Sequence, residues 1–233
     1  MADPQQPTND ATSNDRTATS GVADEAQKNR NPEENIDMLL SRHSAAIAAI
    51  RAACPEIVEM AVYPYYDDIF FLRYMLSFKD VNKATDAVKK CFAWRNENAE
   101  LLAGAPLQSK LEECLEGPLG HIFERSMKYQ CADIWDPSAL IDKGTLVLIR
   151  GALGKPKLLT KRVTTEENLS INFAFREMAY RHCDAVTRKT RYLSKQTLVF
   201  DVGGMSFSDM ADPQQQKLYG KVSKVAAYVY PQL

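Results

Sequence analysis

The chain is predicted to be an α/β protein, with an all-helical N-terminal subdomain followed by an incomplete mixed or parallel sheet with flanking helices. Three observations predict it. Apolar residues recur at helical spacing from Ile36 to about Tyr129, with no strand-like stretch among them. The period then changes to short continuous apolar runs, at 145–149 and 197–202. Each run is followed by a helical pattern, and strand–helix–strand–helix order implies parallel pairing with right-handed crossovers.

Residues 1–33 are mostly Asp, Asn, Thr, Ser, Gln and Pro. Such a stretch buries too little surface to offset its ordering entropy, so a disordered tail is expected. Ile36, Leu39, Leu40, Ile47 and Ile50 predict a helix to Ala53, ended by Pro55. A second helix is expected from Tyr66 to Leu76. Asp80 offers an N-cap for a third, carried by Val81, Ala84, Val88 and Phe92 to about Asn98. Leu107 to Leu115 and Leu119 to Tyr129 read as two short helices broken by Gly117-Pro118. After the turn at Asp142-Lys143-Gly144, the run TLVLI suits a strand covered on both faces. Thr164 to Arg188 is a long helix, acidic at its start and basic at its end, as the macrodipole favours. TLVFDV at 197–202 is a second strand of the same kind, stopped by Gly203-Gly204, and Pro213 to Tyr230 forms the last helix. The expected units are the tail at 1–33, a helical region at 34–130 and a sheet-containing domain at 131–233. Met210 to Gln215 repeats the hexapeptide MADPQQ that opens the chain, without extending into a longer repeat.

The 233 residues are 45% hydrophobic and 25% charged, enough for a sizeable core. Five widely spaced cysteines with no C-x-x-C pair argue against both a disulfide framework and a zinc site, and for a reducing compartment. No apolar run approaches the length of a bilayer span, and the N-terminus lacks a secretory signal. A cytoplasmic protein touching membranes from the side is therefore expected. The net charge of −1 hides an asymmetry. Residues 34–142 hold seventeen acidic and eleven basic side chains, whereas 143–195 hold twelve basic and four acidic. Such a basic block could meet anionic lipid or nucleic acid, but a set of solvated helix and loop faces is the stronger reading, since surface Lys and Arg are common.

Catalytic and metal constellations are not expected. His182-Cys183 with Arg188 is superficially like a phosphatase loop, but the spacing is short, no glycine turn intervenes, and a helix runs through it. A buried core thiol is the stronger reading. His43, His121 and His182 share no metal-ligand spacing. Gly203-Gly204 lacks the spacing of a dinucleotide loop and suits a tight turn, where Asp201 would accept hydrogen bonds. No cofactor and no nucleic-acid partner are expected.

Four pieces of sequence, in order over residues 66–233, carry a family resemblance. The run from Asp67 to Ala84, DDIFFLRYMLSFKDVNKA, ends in CFAWR at Cys91 to Arg95. DKGTLVLI follows at 142–149, FDVGGMS at 200–206, and Tyr230-Pro231 near the end. Together they resemble the CRAL-TRIO lipid-binding family, with one residue fewer between Met75 and Asp80. The resemblance implies an α/β fold whose mixed sheet floors a hydrophobic pocket, closed by a mobile gating helix. Members bind phosphoinositides, phosphatidylcholine, tocopherol or retinal and pass them between membranes. The family usually has Glu where Gln232 stands, and continues into another strand and the gating helix; a chain that stops early in the domain is therefore expected. The regulatory members imply an alternative, a protein-interaction module without a working pocket.

A lipid pocket needs apolar lining and one polar end. Leu198, Phe200 and Val202 share one face of the second strand, and Thr197, Val199 and Asp201 the other. The expected lipid-binding residues are Leu198 and Phe200, joined by Met205 and Tyr228; packing against protein alone explains the same four residues. The expected membrane contacts are Lys155, Lys157, Lys161 and Arg162, in a short loop-like stretch. Limited proteolysis is expected to strip the tail and leave a resistant core beginning near Asn35. Protection of the tail from the first time point would contradict that assignment.

Overall fold

A computed structural model of the chain describes residues 31–58, 66–105, 115–126, 132–135, 146–150, 156–204, 206 and 212–232. Residues 31–233 form one compact unit. Its first described element is a 3-10 turn at Pro32–Glu34, capped by Asn31, which takes in the last residues of the expected tail. The turn is fixed by long-range backbone bonds, Ile36 N to Arg191 O and Leu193 N to Glu34 O.

Helix α1 spans Ile36–Ala52 and α2 Pro55–Val58. Helix α3 spans Asp68–Phe78, with the Asp67 carboxylate accepting from Phe70 N. It stops at Lys79, whose left-handed φ of 55° reverses the chain in a single residue. Asp80 then caps α4, Val81–Glu97, and α5 is Ala99–Ala103. The helix expected at Leu107 to Leu115 lies almost wholly outside the described residues. The next one appears as α6, Gly120–Ser126, and its expected end beyond 126 is likewise outside them.

Among the described residues three strands follow where two were expected: β1 Ala132–Trp135, β2 Leu146–Arg150 and β3 Thr197–Asp201. Their order is β1-β2-β3. β1 pairs antiparallel with β2, and β2 pairs parallel with β3, with Leu146 opposite Thr197 and Arg150 opposite Asp201. The sheet is therefore mixed. Helix α7, Pro156–Leu159, and the 26-residue α8, Thr165–Thr190, make the crossover between the parallel strands. Thr164 and Glu167 close a reciprocal capping box at the start of α8. Helix α9, Pro213–Val229, starts within the repeated hexapeptide: Asp212 is the N-cap and Pro213 the first helical residue, the favoured arrangement.

Burial on both faces holds in part for β2, where Val147 is buried, and fails for β3, whose five residues are all exposed. β3 lies at the sheet edge with β2 as its only strand partner among the described residues. An apolar run specifies a strand, not what covers it.

Helix α8 organises the interior through two buried faces. Ile171 and Ala174 join Phe123, Ile122, Leu159 and Val163 in a small core beneath α6 and α7. The opposite stripe, Phe173, Glu177, Tyr180, Asp184 and Thr187, follows a seven-residue repeat and faces the N-terminal helices. Phe173 and Tyr180 belong to the main core, with Phe70, Phe71 and Leu72 of α3, Val88 and Cys91 of α4, and Val222, Val229 and Tyr230 from α9 and its end. That core crosses the boundary expected between residues 130 and 131. The Cys91 thiol faces Val229 O at 3.8 Å, and Tyr74 donates to Tyr228 O at 2.8 Å, tying α3 and α4 to α9.

Two arginines enter this core. Arg95 Nη2 donates to Glu177 Oε1 at 2.7 Å, and Arg181 Nε donates to the same oxygen at 2.9 Å. Glu177 is 0% exposed and Arg95 5%. Arg73, fully buried, donates to Thr187 Oγ1 at 2.9 Å and lies 3.9 Å from Asp184. Both guanidinium carbons sit within 6 Å of the Tyr180 ring, at 5.7 and 5.9 Å. Burial alone would lower the Arg95 pKa; the adjacent Glu177 carboxylate outweighs it and the net shift is upward. Removing one member of a buried pair strands a charge, at a cost of about 3–5 kcal/mol. Glu177→Leu, which leaves Arg95 buried without its carboxylate, is expected to lose that much in urea unfolding, and Arg95→Met/Glu177→Leu less than the single variant. A double variant as damaged as the single one would show that the charge is not what destabilises.

Candidate functional site

Four of the eight exposed large apolar side chains among the described residues cluster on β3 and its exit. Leu198 is 57% exposed, Val199 43%, Phe200 48% and Val202 53%. Strand alternation puts Leu198, Phe200 and Val202 on one face and Val199 on the other, so both faces carry apolar surface. On β2, Leu148 and Ile149 are half-buried. The register pairs them with Val199 and Phe200, which widens each face by one strand. One end of this surface is polar: Arg150 and Asp201 are register partners and both are exposed. Just beyond, Asp201 Oδ1 accepts from Gly203 N at 2.9 Å, the turn role expected of it, and Gly204 takes a positive φ of 76°.

The four expected lipid-binding residues do not gather at this surface. Leu198 and Phe200 are there. Met205 lies outside the described residues. Tyr228 is half-buried against the main core, to which neither Leu198 nor Phe200 belongs. It lines a separate groove of about 300 Å³ between α4 and α9, with Phe78, Lys83, Asp86, Ala87, Lys90 and Ala227. Tyr228 therefore takes part in joining two helices. Position within a helix could not distinguish that from a place on the sheet face.

Of the expected membrane contacts, Lys161 and Arg162 are exposed. They stand in a turn after α7, with Lys161 N bonded to Leu158 O and Arg162 N to Leu159 O, so the stretch is partly helical rather than loop-like. Lys155 and the side chain of Lys157 lie outside what is described. Other members of the basic block are spent on ion pairs. Arg188 contacts Asp67 and, at 2.7 Å, Asp184; Arg191 contacts Asp37; Lys195 contacts Glu34 at 3.3 Å.

A second cleft, about 210 Å³, lies between the starts of α8 and α9 and is lined by Thr164, Thr165, Asn168, Gln214, Gln215 and Leu218 among others. Its chemistry is neutral and polar. The acidic caps Asp212 and Glu167 already occupy backbone donors of both helices, so it does not select an anion. Neither concavity reaches the middle of the range for drug-sized ligand pockets, roughly 300–1,000 Å³.

Cys183 is buried within α8, while Arg188 is engaged by Asp67 and Asp184; no phosphate-cradling loop exists there. Cys54 and Cys91 are buried as well, and burial pushes the Cys91 thiol up to about 11. Among the described residues no three metal-ligating side chains converge, and no helix is long and apolar enough to cross a membrane. The buried cluster around Tyr180 was missed in the sequence. Its signal was present: Arg73 and Arg95 occupy apolar positions of their helices, where an arginine needs a partner.

No protein-family model and no curated protein matches the chain. Solvent-exposed positions contribute little to stability, within about 0.5 kcal/mol. Leu198→Ser/Phe200→Ser is therefore expected to melt like the parent while binding less of an apolar dye such as ANS. Unchanged dye binding would mean that β3 is not the accessible apolar surface.

Proposed function

We propose that the chain is a non-enzymatic carrier of a hydrophobic ligand of lipid type, bound against the apolar surface of β3 and β2 and acting at membrane surfaces. The observation that carries this reading is the exposure of Leu198, Val199, Phe200 and Val202 within five consecutive residues, on the edge strand β3 and at its exit. Apolar surface contributes about 25 cal/mol per Å² when it leaves water, so covering a further 200 Å² or so yields roughly 5 kcal/mol. An acyl or isoprenoid chain supplies such cover without directional chemistry. The exposed Arg150 and Asp201 at one end provide the polar terminus that a head group needs. The resemblance to the CRAL-TRIO family supports the same reading, through LVLI on β2 and FDVGG leaving β3.

A second reading, a protein-interaction module, is favoured by one feature. Thr197–Asp201 is an edge strand whose outer side is unpaired among the described residues, a template for an added strand. Native mass spectrometry of the purified protein separates the two. A carrier is expected to hold a lipid that Phe200→Asp releases. A protein that retains no lipid, and after delipidation takes up no fluorescent acyl probe, would rule the carrier reading out.

A further inference from the structure

Helix α9 contains three lysines and no acidic residue over its seventeen positions. Lys217, Lys221 and Lys224 are spaced by four and three residues, so they share one helical stripe, and all three are exposed. Tyr228 continues that stripe after another four residues and lines the groove between α9 and α4. Lys83 and Lys90, seven residues apart on α4, stand along the same groove and are exposed too. None of these five lysines joins an ion pair among the described residues; Asp86 is the one carboxylate lining the groove. The whole segment from 196 to 233 is electrically balanced, which conceals this concentration.

We propose that the α9 stripe, with Lys83 and Lys90 beside it, is a docking surface for anionic lipid bilayers, in preference to the turn holding Lys161 and Arg162. The inference rests on the lipid-carrier reading for its purpose, and on charge complementarity for its chemistry. The row from Lys217 to Tyr228 runs about 16 Å along a straight helix, at 1.5 Å per residue. Lysine is a compact charge on a flexible stem, suited to a diffuse layer of phosphates and carboxylates rather than to one fixed partner. Tyr228 at the end of the row is half-buried, with an apolar body and a polar tip of the kind that settles at head-group depth. Each lysine close to an acidic bilayer strengthens binding about fivefold, so three give on the order of 100-fold.

The test is co-sedimentation of the full chain with phosphatidylcholine vesicles, with and without phosphatidylserine, at low and high salt. The parent is expected to bind only the anionic vesicles and to be released by salt. Lys217→Glu/Lys221→Glu/Lys224→Glu is expected to lose about 100-fold or more, with Gln at the same positions giving a smaller loss. Lys161→Glu/Arg162→Glu is expected to lose little. Circular dichroism melts verify that each variant is folded, as substitution of exposed lysines predicts. Equal binding by the parent and the triple Glu variant overturns the proposal, as does binding that ignores phosphatidylserine. A parent that ignores vesicles but binds an acidic peptide overturns it in favour of a protein partner. Co-purified lipid in the triple variant keeps the outcome separate: lipid retained with docking lost supports both readings. Docking without any bound lipid removes only the carrier.

Discussion

The structure depends on two arginines that have no route to water. Arg73 on α3 and Arg95 on α4 enter the interior from the N-terminal helices, and α8 must supply Glu177 and Asp184 on one stripe to receive them. The N-terminal helices cannot bury their side of this arrangement alone. An isolated α3–α4 pair would hold two guanidiniums without a carboxylate partner, whereas Glu177 and Asp184 also have partners within α8, Arg181 and Arg188 one turn on. Hydrophobic contacts tolerate a helix sliding by part of a turn; paired charges separated by seven residues do not. Tyr180, between Glu177 and Asp184 in sequence, completes the set with its ring against both guanidiniums and against Tyr230. The buried ions thus specify how α8 sits in its helical cradle, while residues such as Phe70, Phe71, Leu72 and Val88 form the apolar core around them.

The same logic extends outward. The sequence divides into an acidic front half and a basic block, and the fold brings them together. Asp37 pairs with Arg191, Glu34 with Lys195, and Asp67 with Arg188. These pairs are partly exposed and individually weak, yet all join the front of the chain to the end of α8 and the residues beyond it. Much of the positive charge that suggests an external partner is therefore answered within the molecule. The lysines of α9, which lie in a segment of no net charge, have no such partner among the described residues.

Local signals made the helices legible. Asp80 caps α4, Thr164 caps α8 and Asp212-Pro213 begins α9, each with a chemistry that acts within one turn. Lengths of α1, α4, α8 and α9 follow from apolar spacing to within a few residues. β1 was not legible, because its four residues, ADIW, are too few to carry a detectable period. The exposure of β3 was not legible either: TLVFD reads the same whether covered or bare. Partners such as Arg95 and Glu177, 82 residues apart, leave no trace in any local window. For the candidate site, the apolar character of Leu198 and Phe200 was readable, whereas the separation of Tyr228 from them depends on tertiary packing alone.

The sulfur of Cys91 lies where α4 meets α9, enclosed beneath the last turn of α9 and facing the Val229 carbonyl. Its raised pKa leaves almost no thiolate at neutral pH, and its burial denies access to alkylating reagents. The molecule therefore carries an internal clock for one motion: this thiol can react only when the end of α9 lifts from α4. Cys54 and Cys183, buried elsewhere in the same chain, time the opening of other parts, so the order in which the three sulfurs become reactive ranks the segments by local stability.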